Sequence, residues 1–185
     1  HFIELDRSED GAYWLIIHSG SRRLGAEVAA YYQKEAFAAS PDGTPFEFAY
    51  ATGALKDAYL HDMKIAQQFA ELNRQAIASD LVKGMKLNVE GTFSTVHNYI
   101  DTSRMILRKG AVSAMAGERL IIPMNMRDGC LLCVGKGNPE WNESAPHGAG
   151  RLLNRAESKQ SFTLSQFKKE MKGIVRPDRA LSKVV

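Results

Sequence analysis

The sequence predicts an α+β fold, with helices concentrated early and mixed short strands late. Three observations point that way. An alternating segment at the start is followed by a turn and a second apolar run. A long stretch between residues 54 and 83 repeats its apolar positions near the helical period. From Phe93 onward the pattern changes to short apolar runs separated by glycine turns.

Taken in order, His1 to Leu5 alternates, Asp6 to Gly11 is a polar turn ending in Asp10-Gly11, and Tyr13 to Ile17 is apolar, which together predict a β-hairpin. His18-Ser19-Gly20-Ser21-Arg22-Arg23 then reads as a loop. A helix is predicted over Leu24 to Ala39, with Leu24, Val28 and Tyr31 on one face and a stop at Ser40-Pro41-Asp42-Gly43. The strongest helical segment is Ala54 to Lys83. Leu55, Tyr59, Ala66, Phe69, Asn73, Ala76 and Ile77 fall close to the helical period and Gly84 follows the end, so this is a scaffold helix. Short strands are predicted at Phe93 to His97, Met105 to Leu107, Leu120 to Ile122 and Cys130 to Val134. The chain shows no internal repeat and no linker, and residues 1–185 are expected to form a single domain.

A chain of 185 residues that is 44% hydrophobic and 24% charged has enough apolar residues for a core and is neither a disordered tail nor a membrane protein. No apolar run approaches the roughly 20 residues of a spanning helix, and the first residues lack the layout of a signal peptide. A cytoplasmic location is the expectation. Two cysteines three residues apart, Cys130 and Cys133, cannot staple distant segments, in keeping with a reducing compartment. Residues 1–100 carry 9 Lys/Arg against 13 Asp/Glu, whereas 101–185 carry 15 against 8, so the second half could face a polyanion. The chain begins at His1 and enters a strand-like run directly, as a piece cut from a larger protein would.

Chemistry concentrates at the histidines. Of five, His1, His18, His97 and His147 lie in segments dense with glycine, small polar residues or arginine. Imidazole on a loop can ligate a transition metal, attack a phosphorus or shuttle protons, and adjacent glycines let an anion approach backbone N–H groups. Each could equally be a hydrogen-bonded loop residue; four together point to a site. His18 and His147 are each followed four residues later by an arginine, Arg22 and Arg151, whose planar fork suits phosphate. Arg108-Lys109-Gly110 and Arg127 add possible anion contacts. His61 falls within the long helix and is read as a surface or packing residue. Cys130 and Cys133 have zinc-ribbon spacing without a second pair, and on a strand they would face opposite sides. Met115, Met124 and Met126 read as core filling.

His1-Phe2-Ile3-Glu4-Leu5, His18-Ser19-Gly20-Ser21-Arg22, His97-Asn98-Tyr99, the Arg108 to Ala114 block and His147-Gly148-Ala149-Gly150-Arg151 occur in the order seen in the RtcB family of RNA-splicing ligases, which this chain resembles from residue 1 to about 155. The resemblance implies mixed short strands around a metal and nucleotide site with flanking helices. It also implies an enzyme that joins an RNA 3′-phosphate or 2′,3′-cyclic phosphate to a 5′-hydroxyl in RNA splicing or repair, using GTP and Mn²⁺, two ions in a complete member. His147 would be the nucleophile that becomes guanylylated, and His1, His18 and His97 the manganese ligands. Nucleotide contacts would come from Phe2, Glu4, Asn98, Pro123, Met124, Asn125, Met126, Cys130, Gly148, Ala149 and Gly150. Phosphate or RNA contacts would come from Arg22, Arg108 and Arg151. The family's Asp and metal-bridging Cys precede the block matched by His1, and its terminal Lys-Gly follows the last matched block, so the chain is expected to be a central-to-late part of a member. Its partner would be RNA bearing those ends, with the need for a protein activator left open, and no membrane. Two other readings stand beside this one: an RNA- or nucleotide-binding module without catalysis, and a metal-dependent phosphoesterase acting on RNA ends.

Overall fold

A computed structural model describes residues 1–150 and 152–174. The chain divides into two compact units, His1–Thr92 and a second beginning at Phe93. The class is α+β, as the sequence predicts: one hairpin and two long helices in the first unit, small sheets and two short helices in the second.

In the first unit, β1 (Phe2–Arg7) pairs antiparallel with β2 (Tyr13–His18) in a register that sets Phe2 opposite His18 and Arg7 opposite Tyr13. The turn between them is closed by Ser8 N–H donating to Ala12 O at 2.9 Å, and Gly11 takes the φ of +89° the reversal needs. Helix α1 (Arg22–Ala38) packs on α2 (Gly53–Gly84), both within a residue or two of their predicted bounds. Their contact buries Tyr32 and Ala36 from one and Met63 and Ala66 from the other. Tyr32 OH donates to Asp62 Oδ2 at 2.7 Å. His61, on the solvent side, touches only its neighbour Asp62 among the hydrogen bonds described.

In the second unit β4 (Ile106–Ser113) lies between β3 (His97–Asp101) and β7 (Ser144–Pro146), all antiparallel. A separate hairpin joins β5 (Arg119–Asn125) to β6 (Gly129–Val134). The core is where these meet: Val112, Ala114 and Leu120 are buried, with Ile122, Cys133 and Ala145 packed on them. Helices α3 (Arg155–Ser161) and α4 (Leu164–Glu170) start on reciprocal capping boxes, Asn154 with Glu157 and Thr163 with Gln166.

The strand expected from Phe93 begins only at His97. Before it, the Thr95 side-chain hydroxyl accepts from Ile121 N–H at 3.3 Å, where a ladder would use a backbone carbonyl. Strand β7, α3 and α4 were not expected from periodicity. Three residues ending in proline show no alternation, and helices of seven residues each span only two turns.

Two predictions follow from packing. A Cβ on Gly135 would stand 2.2 Å from Met115 O, so Gly135→Ala should cost about 3 kcal/mol, measured by urea denaturation. Gly117→Ala, at φ +80° but with open space around it, should cost only about 1 kcal/mol. Asp62 accepting from Tyr32 holds the phenol protonated up to about 12, above its ordinary value of 10.0. The folded-state value is the raised one, so this contribution is complete below pH 10 and is lost as pH climbs toward 12. Denaturation midpoints across that window should fall in the wild type and fall less steeply in Tyr32→Phe.

Candidate functional site

The four histidines singled out by sequence sit in pairs, two on each unit. On the first, the hairpin register stacks the Phe2 and His18 rings, with centroids 4.8 Å apart and planes inclined by 29°. His1, Phe2, Ile3, Ile17, His18, Ser19, Arg22 and Ile77 line an open cavity of about 260 Å³. The loop that carries this cavity away from β2 is tied to α2. Asn73 Nδ2 donates to Ser19 Oγ at 2.9 Å and to Gly20 O at 3.3 Å, and Arg74 Nη1 donates to Ser19 O at 3.2 Å. Arg22 follows with φ +57°, a left-handed conformation that costs a non-glycine residue about 1 kcal/mol and that starts α1 at the cavity wall. Glu4 lies on the same face of β1 as Phe2, half-buried by alternation, while Ile3 and Leu5 on the opposite face are more exposed.

On the second unit, His97 opens β3 and His147 follows β7, and their rings lie 5.0 Å apart, tilted by 45°. Three local features hold this pair. His147 N–H donates to Gly110 O at 3.2 Å, continuing the β4–β7 ladder one residue past the strand. The β3–β4 register shifts between His97 and Tyr99, where Asn98 takes φ +54° and its Oδ1 accepts from Gly110 N–H at 2.7 Å. That bond fixes the amide orientation, leaving Nδ2 of Asn98 as a donor. Beyond His147 the chain rests on the end of β5: Ala149 N–H donates to Pro123 O at 3.2 Å, and a Cβ on Gly148 would come within 3.3 Å of the same oxygen.

The other residues expected at the nucleotide lie along the β5–β6 hairpin. Pro123 pairs with Cys130, and Met124 is the extra residue of a bulge before Asn125 pairs with Gly129, a position that tolerates the missing proline N–H. Asn125 is committed to the turn, its Oδ1 accepting from Arg127 N–H at 2.9 Å and Asp128 N–H at 3.0 Å. Met126 is half-exposed in that turn. Cys130 and Cys133 face opposite sides of β6, Cys133 toward the core. Gly150 takes φ +75°. Arg151 lies outside the described residues.

Two arginines differ from their sequence reading. Arg108, expected to touch phosphate or RNA, is 1% exposed and turned inward. Its Nε donates to Ser144 Oγ at 3.1 Å, Nη1 to Tyr99 OH at 3.3 Å and Asp101 Oδ2 at 3.5 Å, and Nη2 to Asn142 O at 3.1 Å. A guanidinium can be buried only with its donors satisfied, and on the β4–β7 sheet the protein supplies those acceptors itself. Arg127 donates to Asp128 Oδ1 at 2.8 Å and to Glu170 Oε2 at 2.6 Å, tying the hairpin turn to α4. Sequence reading took Gly110 only as a possible anion contact and Asn73 only as part of the scaffold helix, and passed over Arg74; that Gly110 bonds both Asn98 and His147, and that Asn73 and Arg74 hold Ser19 and Gly20, is marked by no spacing.

Imidazole nitrogens of this kind can ligate divalent first-row metals or act as nucleophiles at phosphorus. The structure is thus an α+β protein with histidines at two places, His1 and His18 lining one cavity and His97 beside His147. A family model described as "tRNA-splicing ligase RtcB" matches residues 1–180, and the chain belongs to that family. It is 32% identical over 187 residues to the RNA-splicing ligase RtcB of Escherichia coli K12, covering 89% of this chain and 46% of the relative. To the tRNA-splicing ligase RtcB of Aeropyrum pernix it is 28% identical, covering 89% and 43%, and to that of Nanoarchaeum equitans 30%, covering 85% and 41%. The chain therefore spans under half the length of these relatives. No solved structure matches it. Among the described residues no helix is long and apolar enough to cross a membrane.

The Asn98 bridge is testable on its own. Asn98→Ala should cost about 1 kcal/mol, and the Gly110 amide, losing its 2.7 Å acceptor, should exchange with solvent at least several-fold faster by hydrogen-exchange NMR.

Proposed function

We propose that this chain is part of a GTP- and Mn²⁺-dependent RNA ligase that joins 3′-phosphate or 2′,3′-cyclic phosphate ends to 5′-hydroxyl ends, acting in the cytoplasm in RNA splicing or repair. The observation that carries the reading is the placement of His147, set 5.0 Å from His97 with its own main chain bonded to Gly110 and the following residues resting on Pro123. Family membership supports the ligase class, and the ordered histidine blocks support the chemistry.

In this reading a ring nitrogen of His147 bonds to the α-phosphorus of GTP as the bond to the pyrophosphate oxygen breaks. The guanylyl group passes to an oxygen of the RNA 3′-phosphate, restoring the imidazole, and the 5′-hydroxyl then displaces GMP. His1, His18 and His97 are the proposed metal ligands, their nitrogen donors fitting a divalent first-row ion. When bound, such an ion supplies charge neutralisation at the triphosphate. Phe2, Glu4, Asn98, residues 123–126, Cys130 and Gly148 to Gly150 are proposed to contact the nucleotide. Asn98 would do so through its Nδ2 donor. Arg22, at the cavity shared with His1 and His18, is proposed to meet phosphate or RNA.

A second reading, a nucleotide- or RNA-binding segment without covalent chemistry, is favoured by the excess of 15 Lys/Arg over 8 Asp/Glu in residues 101–185. Incubation with α-³²P-GTP and Mn²⁺ separates the two. The ligase reading expects an acid-labile, alkali-stable label that is absent from His147→Ala. Salt-sensitive RNA binding with no label on the wild type would replace it with the binding-segment reading.

A further inference from the structure

We propose that Arg108 is the positioning residue that holds His147 against His97. Its consequence for catalysis rests on the role proposed above for His147; its geometry does not. Arg108 lies on the central strand β4, and its guanidinium reaches both neighbours. Toward β3 it donates to Tyr99 OH at 3.3 Å and Asp101 Oδ2 at 3.5 Å, with the Tyr99 ring 5.7 Å from its centre. Toward β7 it donates to Ser144 Oγ at 3.1 Å and to Asn142 O, just before that strand, at 3.1 Å. His97 begins β3 and His147 follows β7 directly, so one side chain is bonded to both strands that carry the imidazole pair.

Backbone pairing alone specifies this arrangement weakly. Strand β7 has three residues and three register partners, and β3 carries a register shift next to His97. Short or irregular ladders are the ones prone to slip, and a slip of one residue turns every side chain to the other face. Arg108 contacts β7 at Ser144, so any slip of that strand would break its Nε bond and leave a buried charge under-satisfied. A buried arginine is costly compared with an apolar residue, and the fork is the property only arginine brings. A lysine ammonium keeps the charge but offers its donors from one nitrogen, without the fixed planar fork that reaches both neighbouring strands.

Arg108→Lys in selectively histidine-labelled protein is the test. Expected are retained contacts among Val112, Ala114 and Leu120, a ring-to-ring nuclear Overhauser effect between His97 and His147 reduced at least threefold, and guanylylation reduced roughly 100-fold. An unchanged His97–His147 effect with an intact core overturns the proposal. Should Arg108→Lys not fold, Ser144→Ala and Tyr99→Phe each remove one partner, and an undiminished ring-to-ring effect in both overturns it equally. If the wild type takes no label while Arg108→Lys still separates the rings, the catalytic role of His147 fails and the positioning role stands.

Discussion

Strand β4 is bonded along both edges, to β3 and to β7, and this double pairing brings histidines 50 residues apart in the chain to within 5.0 Å. The strand can do so because it has two different interiors. Val112 joins the apolar cluster with Ala114 and Leu120, whereas Arg108 is buried among polar acceptors from both neighbouring strands. Between them Gly110, at φ +69°, donates to Asn98 and accepts from His147. The apolar end supplies the burial that stabilises the sheet, and the polar end and the glycine supply direction.

The first unit solves a similar problem with different means. A two-stranded hairpin is marginal by itself, and here the loop after β2 is held by side chains of the long helix α2. Asn73 and Arg74 use that helix as a rigid rail, so that the end of the hairpin, with His18 stacked on Phe2, opens into a cavity whose far wall includes Ile77. Arg22 accepts a left-handed backbone at the same place, the sort of local strain that persists only where surrounding bonds over-determine it.

Much of the fold was legible. Alternation located β1 and β2, and the helical period located α1 and α2, because each buries a face whose repeat matches its own geometry. Strand β7 was not legible, since three residues ending in a proline are too few to show alternation. The short helices α3 and α4 did leave a signal, their Asn154–Glu157 and Thr163–Gln166 capping pairs, which periodicity does not read. At the site, clustering of histidine with glycine and arginine marked His1, His18, His97 and His147, but Arg108 carried the same signature as a phosphate-binding arginine and proved to be interior.

The amino-acid sequence by itself determined the class of fold, the long elements, the family and the identity of the histidines, because these depend on residue type and on spacing within one segment. Only the tertiary structure decided which histidines are neighbours, which side of β4 Arg108 occupies, and that Gly110 and Pro123 anchor the chain around His147. Those outcomes are set by pairings between distant segments. A guanidinium's environment follows from which acceptors the strand pairing delivers, and no local pattern encodes that delivery.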